Sequence, residues 1–107
     1  MKRKTLHLPL KREWYKMIDS GEKKEEYREI KPYWVKRFCI RKICRVEMCE
    51  LPDIACFMLK YDSVKFSYGY TSRTMMFKIK SIRRGVGNPT WGAPEKEVFI
   101  IELGDRL

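Results

Sequence analysis

Tyr61-Asp62-Ser63-Val64-Lys65-Phe66-Ser67-Tyr68 alternates apolar and polar side chains. After a turn at residues 69–73 the pattern resumes in Thr74-Met75-Met76-Phe77-Lys78-Ile79-Lys80-Ser81-Ile82-Arg83. Side chains of a strand point alternately to opposite faces, so this period of two predicts two half-buried strands. Val64, Phe66 and Tyr68 share the apolar face of the first. Met76 (or Met75), Phe77, Ile79 and Ile82 supply that of the second. A Gly/Pro-rich loop, residues 85–94, leads to a last strand at residues 98–103. Upstream, residues 5–10 alternate as a short strand. Pro9 offers no backbone donor and so predicts a sheet edge or a strand end. Leu10, Trp14, Met17 and Ile18 recur at helical spacing, which predicts a helix over residues 11–20 with Trp14 in the core; Gly21 stops it. Residues 32–42 read as a short amphipathic stretch carrying Trp34 and Phe38. Several short strands, one or two helices and rich turns predict an α+β fold built on a small β-barrel.

The chain has 107 residues, the size of a single domain spanning 1–107. Its longest apolar run, residues 54–59, is far short of the roughly 20 residues a membrane span needs. The basic start Met1-Lys2-Arg3-Lys4 lacks the apolar stretch of a signal peptide, so a cytoplasmic location and no membrane partner are expected. Cys39, Cys44, Cys49 and Cys56 are spaced too loosely for a typical zinc knuckle and have no neighbouring histidine. They read as reduced thiols, and neither metal nor cofactor is expected. Phosphate-binding glycine loops are absent from the sequence, and the single histidine, His7, gives no basis for a catalytic dyad.

Charge is the first pointer to function. The net charge is +10, and residues 1–45 hold +9 of it. A basic surface interleaved with aromatic residues favours a polyanion partner, with nucleic acid ahead of an anionic membrane. Within this half lies Gly21-Glu22-Lys23-Lys24-Glu25-Glu26-Tyr27-Arg28. Alternation along it puts Lys24, Glu26 and Arg28 on one face and Lys23, Glu25 and Tyr27 on the other. Charges on both faces suit a strand that borders a solvated groove.

The octet reads G-x-K-x-x-E-x-R and resembles the signature of the ASCH domain, a relative of the PUA-like RNA-binding barrels. Residues 10–18, 31–34, 66–70, 89–94 and 98–104 are similar to blocks of small bacterial and phage members. Residues 43–60 depart from the pattern as a variable insertion. The resemblance implies a PUA-like β-barrel of five to six strands with one or two flanking helices. It also implies a cleft bordered by Lys23, Glu26 and Arg28.

Arg28 offers a planar fork suited to a phosphate or a base edge, and Glu26 an acceptor for an exocyclic amine. Lys23, Lys24 and Lys31 add charge, while Tyr27, Tyr33, Trp34, Tyr70 and Trp91 are candidate stacking surfaces. These residues predict a nucleic-acid-binding module, for RNA rather than DNA, holding a single strand or one splayed nucleotide. The alternative for Lys23, Glu26 and Arg28 is an ion-pair network that only orders the sheet. A rival activity also follows from the resemblance. Some relatives are similar to amidohydrolases acting on acylated cytidine, in which a Lys activates a Thr nucleophile, and ribonuclease activity is associated with the family. Lys23 matches that Lys, but Glu26 stands where the Thr would be and could serve only as a general base. A third reading, a protein-interaction domain, rests on Cys44, Met48, Cys49, Phe57 and Met58 in the insertion.

Overall fold

The computed structural model describes residues 4–38 and 61–107. The four cysteines and the expected insertion at 43–60 lie outside these residues. Among them are five strands and two α-helices, in the order β1 (Lys4–Leu10), α1 (Arg12–Asp19), β2 (Glu25–Arg28), α2 (Pro32–Phe38), β3 (Tyr61–Tyr68), β4 (Thr74–Val86) and β5 (Glu97–Arg106). All five strands join one sheet in the order β1-β3-β4-β5-β2. β1 runs parallel to β3, and the remaining neighbours are antiparallel.

The sheet is curled into a half-barrel rather than closed by backbone ladders, which leaves β1 and β2 as its edges. The edges still meet: Arg28 on β2 donates from Nη2 to the Pro9 carbonyl on β1 at 3.3 Å. Pro9 is tolerated because β1 is an edge strand, as the sequence predicts.

The expected alternation holds along β1 and β3, where Leu6, Leu8, Leu10, Val64 and Phe66 are buried. On β4 the buried methionine is Met75, paired in face with Phe77. Register shifts between Phe77 and Ser81 then reset the alternation, which returns Ile82 to the core. β5 is covered on both faces. Phe99 and Ile101 enter the main core with Phe38 and Phe66, while Val98 and Ile100 pack with Tyr27 and Ala93 in a smaller cluster.

This arrangement sets β2. Glu26 lies opposite Ile101 and Tyr27 opposite Ile100, so Glu26 points into the mouth of the half-barrel and Tyr27 to the smaller cluster. The helix α1 buries Tyr15 and Ile18. Trp14 is only half-buried, which corrects its expected core role: one residue along a helix is a rotation of about 100°, enough to carry it off the buried stripe and over the mouth. No described helix is long and apolar enough to cross a membrane.

Candidate functional site

The seam between the two sheet edges is a cleft of about 270 Å³. Pro9 and Leu10 form one wall, Lys11 and Trp14 of the α1 entry a second, and Trp91-Gly92 a third. Lys23, Glu26, Tyr27 and Arg28 supply the rest. The octet therefore contributes four of its residues to one depression.

At the centre is a three-member ion array. Lys23 is 2 % exposed, and its ammonium lies 2.9 Å from Glu26 Oε1. Arg28 Nη1 lies 2.5 Å from Glu26 Oε2 and also donates to the Tyr27 carbonyl at 2.7 Å. Lys23 donates in addition to the Trp91 carbonyl, and its ammonium sits 4.9 Å from the ring centres of both Trp14 and Tyr27. Arg28 lies over the Trp34 ring at 5.5 Å. A buried charge is tolerated only when paired and hydrogen-bonded, and this one is. Burial pushes the Lys23 ammonium below its ordinary value, against the opposing pull of Glu26.

Strand alternation expected Lys23 on the face opposite Glu26. β2 begins at Glu25, however, so Lys23 precedes the strand and escapes its alternation. Its backbone N–H donates to the Met17 carbonyl at 3.0 Å, which ties it to the end of α1 and turns its side chain to Glu26.

Behind the cleft, Tyr27 is fixed by polar contacts. Its hydroxyl donates to Glu25 Oε1 at 2.8 Å and accepts from the Asn88 backbone N–H at 3.0 Å. Glu25 Oε2 in turn pairs with Arg83 at 3.0 Å. Burial is the main reason the Tyr27 phenol is held well above its ordinary value of 10.0; the Glu25 carboxylate adds to it and the Asn88 N–H opposes it. A group with a raised folded-state pKa gives stability that is complete below its unfolded value and lost as pH rises beyond it. Unfolding free energy should therefore fall from about pH 10 upward, and Tyr27→Phe should flatten that limb. Titration of phenolate absorbance should show one late-ionising phenol that the variant lacks; an unchanged curve refutes the assignment.

Of the residues singled out from sequence, Lys23, Glu26, Tyr27, Arg28 and Trp91 meet at the cleft. The other five do not line it, Trp34 instead carrying Arg28 over its ring. Lys24 borders a second depression. Lys31 is exposed and pairs with Glu29 at 3.5 Å. Tyr33 packs edge-on against Trp34, with Arg37 over its own ring at 4.5 Å. Tyr70 is 97 % exposed in the β3–β4 turn. Residues not expected in the site also line it: Pro9, Leu10, Lys11, Trp14 and Gly92. Only the packing of Gly92 against the Trp14 indole, distant in sequence, shows why Trp14 belongs there. Comparison with protein-family models, curated proteins and solved structures finds no match.

Proposed function

We propose that the protein binds single-stranded nucleic acid, RNA in preference to DNA, by taking one unpaired base into the cleft at the sheet seam. The observation that carries this reading is a carboxylate, Glu26, held between Lys23 and Arg28 inside an aromatic-walled cleft of a chain with net charge +10. Unpaired bases are recognised by aromatic contact and by hydrogen bonds at their edges, and the cleft offers both. Arg28 and Glu26 are the polar readers. Lys11, exposed at the rim, is suited to a phosphate. Lys23 is buried, with two of its three donors given to Glu26 and Trp91, so it acts by holding the carboxylate and the loop. The resemblance of the octet to the ASCH signature supports the same reading, with the half-barrel as a small PUA-like fold.

The hydrolase reading keeps one favourable feature, a buried lysine with a lowered pKa beside a carboxylate. Against it, the described lining includes no Ser, Thr, Cys or His that could act as an acyl-transfer nucleophile. We therefore place binding first.

Fluorescence anisotropy of a mixed-sequence RNA tests it. Arg28→Ala should weaken binding by about 1–3 kcal/mol and Trp14→Ala by a similar amount, with both variants folded by circular dichroism. Equal binding by the wild type and both variants, confined to low salt, would mean that net charge alone attracts the RNA. Turnover of acylated cytidine abolished by Lys23→Ala would put the hydrolase first.

A further inference from the structure

A second depression, about 600 Å³ in volume, lies on the other side of the octet, and Lys23 lines both. Its apolar lining is Ile18, Phe77, Ile79 and Leu103, of which Ile79 and Leu103 are only partly buried. Lys24, Lys78 and Lys80 are exposed around it, with Asp105 as the acid in the lining. Lys80 also approaches Glu102, at a loose 4.0 Å. Lys23 is neutralised by Glu26, so the three exposed lysines against Asp105 leave this depression positive. The register shifts in β4 between Phe77 and Ser81 fall where Lys78 and Lys80 flank it, and bulges commonly re-aim side chains at sites of this kind.

We propose that this second depression is a phosphate track. It takes the sugar–phosphate backbone of nucleotides adjoining the one in the first cleft, with an adjoining base resting on Ile79 and Leu103. The proposal rests on the nucleic-acid reading and extends it: the ligand is a strand that crosses the Lys23–Lys24 segment, rather than a free nucleotide. The shared wall at Lys23 carries the argument, because it makes the two depressions neighbours along one path. Positive charge on the far side complements the phosphates that a strand leaving the first cleft would present.

The test is affinity against length, using a mononucleotide and single-stranded RNAs of two to eight nucleotides. The proteins are the wild type, the triple variant Lys24→Gln/Lys78→Gln/Lys80→Gln, and an equal-charge control, Lys36→Gln/Lys65→Gln/Lys96→Gln, whose positions line neither depression. The wild type should bind longer RNAs more tightly. The triple variant should lose that gain, with its log–log salt slope reduced by about 2, at about 0.7 per phosphate contact on single strands. It should still bind the mononucleotide within about twofold of the wild type, and the control should keep most of the length gain. Equal affinity for all lengths overturns the track and leaves the first cleft standing. Equal losses in the triple variant and the control overturn it in favour of diffuse charge. Failure to bind any length at near-physiological salt overturns the nucleic-acid reading and the track with it.

Discussion

Replacing Glu26 by alanine is expected to cost about 3–5 kcal/mol of folding stability and to abolish RNA binding. The cost comes from what remains. Lys23 is almost fully buried and would lose the carboxylate at 2.9 Å, keeping only the Trp91 carbonyl and two aromatic rings. Arg28 would suffer less, because it keeps the Tyr27 and Pro9 carbonyls and some contact with solvent. A buried ion pair is often no more stabilising than apolar residues of similar size, so the double variant Lys23→Met/Glu26→Leu should recover most of the lost stability. It should not recover binding, because the reading carboxylate is gone. Urea unfolding and anisotropy on the three proteins separate the two roles. If the double variant binds RNA as the wild type does, Glu26 is only a structural ion and the site lies elsewhere. A loss under 1 kcal/mol in Glu26→Ala would mean that the array is hydrated in solution.

Much of the fold was legible because its signals are local. Alternation marked β1, β3 and β4, an apolar run after the Gly/Pro-rich loop marked β5, Pro9 marked an edge, and Gly21 marked the end of α1, where its φ of +86° suits a residue without a side chain. The octet was legible as a candidate site because it crowds charges onto a strand too polar to be buried on both faces. What escaped depended on distant contacts. Periodicity put Trp14 on the apolar stripe, but whether that stripe is centred on Trp14 or on Tyr15 depends on what the sheet presents to the helix. Lys23 was assigned to the wrong face because alternation was extended two residues beyond the true start of β2. Tyr33 and Tyr70 have the right chemistry for stacking, yet composition says nothing of where a turn or a short helix carries them. The seam itself was not legible: it exists because β1 and β2, separated by a helix in sequence, become the two edges of one curled sheet.

The loop that closes the cleft supplies the second large effect. Gly92→Ala is expected to destabilise the protein more than Gly21→Ala, by about 1–3 kcal/mol, and to weaken RNA binding as much as Trp14→Ala does. Both glycines hold left-handed backbone, φ +94° at Gly92 and +86° at Gly21, so both substitutions carry a strain of about 1–2 kcal/mol. They differ in surroundings. A methyl group at Gly21 meets nothing within 4 Å, whereas one at Gly92 would stand 2.8 Å from Cζ2 of Trp14. The indole would have to shift. It faces the Lys23 ammonium and walls the cleft, so its displacement reaches both the ion array and the ligand. If the excess acts through Trp14, it should vanish when Gly92→Ala is made on a Trp14→Ala background, leaving only the backbone strain that Gly21→Ala also shows. Additive costs in that double variant would overturn the steric argument. Undiminished binding by Gly92→Ala would show that the position of the indole does not matter to the ligand.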